Sequence, residues 1–173
     1  MPLSLHQALI PSFRQVVGAM EGLVDKAEAF AAERGRDPAE LAGARLAPDM
    51  LPFSWQIKFV HGHSLGAIEG VRRGTFSPDR SPPPADLQAL RALMRDTAAG
   101  LDALDPAELD ALADRPMRFE MGEMRLPFTG EGFLLSFSQP NFYFHAATAY
   151  DILRAEGVKL EKRDFLGRLR LAA

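Results

Sequence analysis

The chain of 173 residues contains no cysteine, which excludes disulfides, thiolate nucleophiles, cysteine-held iron-sulfur clusters and every zinc site built on sulfur. Metal ligands would have to come from His, Asp, Glu or amide oxygens, and the sequence has only four His. A basic block is missing too, since 20 Lys and Arg against 23 Asp and Glu give a formal net charge of -3. Nucleic acid and anionic membrane surfaces both select a clustered positive face, so neither is an expected partner. No apolar run approaches the roughly 20 residues of a membrane span, and Met1 to Ile10 lacks the basic start and apolar stretch of a signal peptide. The expected location is the cytoplasm. What is present, 47% hydrophobic and 25% charged residues, suits one soluble globular domain over residues 1–173, large enough to fold without metal or disulfide staples.

Leu9, Phe13, Val16, Met20, Leu23, Ala27 and Phe30 recur at steps of four and three, one apolar stripe on an amphipathic helix that Gly35 would stop. Pro11 leaves two options, a helix beginning there or one kinked after a short leading turn. Asp37-Pro38-Ala39-Glu40 has the form of a capping box opening a short helix toward Ala42. A second long helix is expected to open between Asp49 and Pro52 and run to about Arg73, with Phe53, Ile57 and Val60 toward the core. The Pro-rich stretch from Gly74 through Pro84 is a loop within the domain. A third helix, about Ala85 to Leu104, repeats the stripe with Leu87, Leu90, Met94, Thr97 and Leu101, and Asp105-Pro106-Ala107-Glu108 is a second capping box.

Met117, Phe119 and Met121 alternate with Arg118 and Glu120, so a strand is expected within Met117 to Leu126. Phe133 to Ser138 reads as its partner across the turn from Pro127 to Gly132, giving a small hairpin that must lean on the helices. Pro140 is costly inside a helix and favoured at its first position, so a fourth helix starts there and ends at Gly157. The expected fold class is all-α, a four-helix bundle with a small β-hairpin before the last helix.

Chemistry concentrates in Gln139-Pro140-Asn141-Phe142-Tyr143-Phe144-His145. Asn141 and His145, four apart, share a helix face that Thr148 and Ile152 continue. By this spacing one helix offers two ligands to a metal, as in the H-x-x-x-H part of zinc sites, with an amide oxygen as the weaker donor. The alternative is a core histidine hydrogen-bonded to a neighbour, since a buried polar group left unpaired costs about 1 to 3 kcal/mol. On the second helix Gln56 and His63 lie seven apart on one face, and His61 points away from both. With the second and fourth helices parallel, Gln56 lies roughly 6 Å into its helix, His145 about 8 Å into its own and His63 about 16 Å, at 1.5 Å per residue. Gln56 is the better depth match to His145. His61 and His63 are expected on a solvated or half-buried face, and His6 at the surface or as a cap. Phe142, Tyr143 and Phe144 are expected as core and pocket wall. No G-x-S-x-G, P-loop, Rossmann fingerprint or H-E-x-x-H occurs, so the common hydrolase and nucleotide-binding routes have no motif support.

The run PNFYFHAATAYDILRAEGVKLEKRDFLG, with ARLAPDMLPFSWQ and the opening LSLHQALIPSF, resembles the uncharacterised bacterial DUF1993 family. These motifs reach from near the start of the chain to Gly167, and the first is long enough to be specific. That family is similar in fold to the DinB/YfiT superfamily of four-helix bundles, many of which bind a divalent metal through three His and include thiol-dependent transferases and isomerases. The resemblance implies a DinB-like bundle and a homodimer. It places His145, with Leu153-Arg154 downstream, at the later of two His on the last helix. The earlier His falls on Asn141 and the ligand of the second helix falls near Gln56, so amides stand where two of three imidazoles are expected. The pocket candidates are His145, Asn141, Gln56 and Thr148, with His145 as the metal ligand for a divalent ion such as zinc or nickel. Two functions stand side by side. One is a bundle whose polar pocket binds a small molecule and a divalent metal, which in an enzyme would activate water or a thiol. The other is a non-catalytic, metal-free bundle for ligand binding or dimer assembly, in which His145, Asn141 and Gln56 satisfy one another.

Overall fold

The computed structural model describes residues 3–172. Met1, Pro2 and Ala173 lie outside the described residues, and with them the first two positions of the stretch read for a signal peptide. Helix α1, Leu5–Arg34, opens before Pro11 and carries that proline in its interior. Its start is set by a reciprocal cap: Ser4 Oγ accepts from the Gln7 N–H and Gln7 Oε1 accepts from the Ser4 N–H, so no proline is needed to begin it. Gly35 closes it in the left-handed region at φ 62°, where a residue without Cβ is unstrained. His6 is therefore a residue of α1, its N–H donating to Asp110 Oδ1 at 2.9 Å.

The two Asp-Pro-Ala-Glu segments open short helices, α2 (Pro38–Gly43) and, further on, one at Pro106–Ala111. Asp37 accepts from the Ala39 N–H, and Asp105 from the Ala107 and Glu108 N–H groups. The reciprocal half of each box is replaced by ion pairing, Glu40 with Arg36 and Glu108 with Arg72.

The expected second helix is two helices, α3 (Phe53–Gly62) and α4 (Leu65–Arg73). The break falls at Ser64, whose backbone leaves the helical region (φ -113°, ψ -95°) while its Oγ donates to Val60 O at 2.7 Å. A serine that bonds the preceding turn competes with the helical ladder, and the poor helix formers Gly62 and Gly66 flank it. Gly74, at φ 79°, turns the chain into a short strand β1, Thr75–Phe76. Helix α5, Leu87–Asp102, starts on an Asp86 cap and buries Leu87, Leu90, Met94, Thr97 and Leu101; the short Pro106–Ala111 helix is α6.

The hairpin differs from expectation. Strands β2 (Pro116–Met121) and β3 (Met124–Thr129) pair antiparallel around Gly122, at φ 58°, and β1 pairs parallel to β2, giving the order β1-β2-β3. Pro127 and Phe128, placed by the sequence pattern in the turn, are in β3, an edge strand where a proline withholds no ladder bond the sheet needs. The run from Phe133 to Ser138 is not a strand. After one α-turn, α7 (Gly130–Gly132), it forms a π-helical segment that passes directly into α8, Gln139–Ala155. A short α9, Lys162–Leu166, follows.

The result is mostly helical, with one small three-stranded sheet. Helix α1 packs along α5 and touches α8, and α3 packs against α8 and α5. Phe13 of α1 meets Phe142 of α8 at the centre of the core, ring centroids 4.6 Å apart and both fully buried. This packing of α3 on α8 brings the candidate residues of the two elements together.

Candidate functional site

On facing sides of α3 and α8, His145 Nδ1 lies 2.7 Å from Gln56 Oε1. Gln56 Nε2 donates to Leu51 O at 2.8 Å, which fixes the amide: its oxygen faces the imidazole, and that oxygen only accepts. His145 therefore carries its proton on Nδ1, and its Nε2 is a bare lone pair.

The second imidazole is His63, expected on a solvated or half-buried face and found 5% exposed. Its ring lies within 13° of parallel to that of His145, with centroids 5.6 Å apart. Ser138, where the π-helical segment meets α8, donates its hydroxyl proton to His63 O at 3.0 Å. The hydroxyl oxygen is thus left to accept from His63 Nδ1 at 3.4 Å, a long contact that selects the same tautomer. Phe59 stands 4.9 Å from the His145 ring and 6.3 Å from that of His63. Phe76 and Phe137 close the other sides of His63, at 5.6 and 6.0 Å.

These aromatic walls withhold the water that would stabilise an imidazolium. Burial pushes His145 down to about 4 and His63 down to about 4, with repulsion from His145 adding to the effect on His63. Both rings are neutral at pH 7. Neither Nε2 has a hydrogen-bond partner among the described residues. The one buried side-chain nitrogen there without an aligned hydrogen bond is Arg72 Nε, beside Glu108, so both imidazole Nε2 atoms keep contact with solvent.

Asn141 and Thr148 turn to their own helix instead. Asn141 Nδ2 donates to Phe137 O at 2.7 Å and Thr148 Oγ1 to Phe144 O at 2.8 Å, and neither bonds His145. His61 leaves α3 in another direction and meets Thr97 on α5. The seven-residue spacing from Gln56 is the sequence signal for His63. Depth counted along an unbroken helix sets His63 too deep; in the fold, α3 ends there and the π-helical segment offers Ser138 as its partner. Tyr143 and Phe144 are exposed while Phe142 is core, so that aromatic triplet divides between the interior and the surface beside His145.

As metal donors, the residues supply two neutral imidazole nitrogens, since Gln56 Oε1 is already engaged by His145. A catalytic zinc takes three protein ligands and a structural one four. Among the described residues no group of three or more His, Asp or Glu side chains could hold an ion. The donor set does not make up a three-ligand centre.

Among the described residues no helix is long and apolar enough to cross a membrane. The chain matches the family described as "Domain of unknown function (DUF1993)" over residues 5–166. It superimposes with a TM-score of 0.81 on the crystal structure of a DinB family member protein from Shewanella denitrificans, at 26% identity, covering 98% of this chain and 95% of that one. No curated protein matches it.

Proposed function

The chain belongs to the DUF1993 family, a domain of unknown function, and from that membership and its DinB-like neighbour we propose a four-helix-bundle protein whose polar site around His145 binds a small molecule. One observation carries this reading: Gln56 and Ser138 each engage the Nδ1 of an imidazole and leave its Nε2 without a partner among the described residues. Two neutral, oriented acceptors side by side suit a ligand that brings hydrogen-bond donors. An anion lacking donors would require a proton that this apolar setting disfavours. Phe59 and the exposed Phe144, whose ring centroid is 5.3 Å from that of His145, supply apolar surface for the rest of the molecule. Asn141 and Thr148 belong to this proposal as wall rather than as polar contacts.

A divalent ion, zinc or nickel, would bind here only through His145 and His63 and would draw its remaining ligands from water or from the bound molecule. Metal content of untagged protein purified without chelator, compared with His145→Ala, checks that part: stoichiometric metal lost in the variant supports it, and no metal in either ends it. The small-molecule reading is checked by mass spectrometry of what the purified protein releases on denaturation. A species present near one per chain and lost from His145→Ala supports the site, and identical profiles count against it.

The second reading, a non-catalytic bundle used for binding or dimer assembly, is favoured by the closed chain from His145 through Gln56 to Leu51 O, which satisfies those groups without any ligand. The homodimer has its own check in light-scattering mass.

A further inference from the structure

His61 takes no part in the arrangement around His145. Two residues before His63 on a helix of 3.6 residues per turn, it points about 200° away from it. Its Nδ1 lies 2.8 Å from Thr97 Oγ1. Thr97 spends its single hydroxyl proton on Leu93 O at 2.6 Å, so His61 Nδ1 is the donor and Nε2 holds a lone pair with no partner among the described residues. The residue lines a cleft of about 150 Å³ together with Phe59, Phe76, Gly66 and Arg73. A Cβ on Gly66 would stand 4.0 Å from His61 Nε2, so the missing side chain leaves the nitrogen open.

Charge in this cleft is uneven. Lys58 and Asp79 also line it, but they face each other at 2.9 Å, and Lys58 Nζ donates further to Ser81 O and Oγ. Arg73 is exposed at the end of α4 and forms no ion pair among the described residues, while Glu69 and Glu108 both pair with Arg72. Among the described residues, Arg73 is thus the cation of the cleft that no carboxylate pairs, and it shares the lining with one imidazole acceptor and two aromatic rings.

We propose that this cleft is a second binding site, separate from that at His145, for a compact aromatic hydroxy acid: its carboxylate pairs with Arg73, its ring lies against Phe59 and Phe76, and its hydroxyl donates to His61 Nε2. A cavity of this volume holds one benzene ring. Guanidinium and carboxylate form the stronger, charge-assisted kind of hydrogen bond. Burial, with the nearby Lys58, holds His61 below the ordinary imidazole range, which keeps the ring an acceptor at pH 7.

The test is calorimetric titration of the full chain with para-hydroxybenzoate, beside benzoate and para-hydroxybenzyl alcohol. Saturable one-to-one binding of the hydroxy acid is expected, weaker by about tenfold when either the hydroxyl or the carboxylate is missing. Arg73→Ala, an exposed change that the fold tolerates, should weaken the hydroxy acid about tenfold and leave the alcohol unchanged. His61→Phe should erase the preference for hydroxybenzoate over benzoate. His145→Ala should bind as the wild type does, which separates this site from the one proposed above. Absence of saturable binding, equal affinity in Arg73→Ala, or a parallel loss in His145→Ala would each overturn the proposal.

Discussion

Two neutral imidazoles held inside an aromatic wall make the folded state sensitive to acid. The folded values of His63 and His145, about 4 each, lie below the ordinary 6.5. Above pH 6.5 neither the folded nor the unfolded chain binds a proton at these rings, and stability is flat with respect to them. As pH falls from 6.5 toward 4, the unfolded chain takes up protons that the folded chain refuses, so stability drops through that window and levels off below it. The loss is on the order of 3 kcal/mol per ring. Urea unfolding between pH 7 and 4 should show it, with a shallower decline in His63→Phe. Gln56 gives a second handle. Gln56→Glu would set a carboxylate beside Nδ1 and favour the imidazolium, so the His145 titration followed by NMR should move up by at least one unit. Gln56→Leu would leave Leu51 O and the His145 Nδ1–H unpaired, at a cost of about 1 to 3 kcal/mol in chemical denaturation. Counting residues from Pro52 and Pro140 selects Gln56 because both helices are regular over that distance. The same count misplaces His63, because nothing in the residue pattern announces that Ser64 turns its hydroxyl back on Val60 and ends α3.

Elements with explicit punctuation were legible: the Asp37 and Asp105 caps, the α1 stripe and the glycine stop at Gly35 all stand where residue chemistry puts them. The hairpin was harder. β3 is an edge strand with most residues exposed, so it lacks the alternation that a half-buried strand shows. The apolar run from Phe133 to Ser138 fits a strand or a buried helix equally well, because short apolar runs carry no period. The glycines read as a turn have another task. A Cβ on Gly130 would lie 2.1 Å from Leu112 O and 2.9 Å from Val71 Cγ1, a backbone approach that allows no side chain. Gly130→Ala should therefore cost at least about 2 kcal/mol, read as a fall in the melting temperature. Gly18→Ala is the matched contrast: it is exposed within α1, a Cβ there meets nothing within 4 Å, and a gain of about 1 kcal/mol is expected.

Across the whole molecule, α1 and α8 are far apart in sequence and are joined at Phe13 and Phe142. Phe13→Ala should cost about 3 to 5 kcal/mol. Because the two rings touch, adding Phe142→Ala should cost less than the sum of the single changes, which a double-mutant cycle in urea would measure. Periodicity does not give the mutual placement of α1 and α8, since a stripe says which face is buried and not which neighbour covers it. That placement also gives Phe59 an unusual position. Its ring stands against His145 and His63, and the residue also lines the cleft of His61. An aromatic ring shifts the magnetic resonance of nearby protons according to its orientation. A molecule that turns Phe59 from the His61 cleft would displace the ring-proton signals of His145 without touching it, so this shared residue makes each compartment a spectroscopic witness to events in the other.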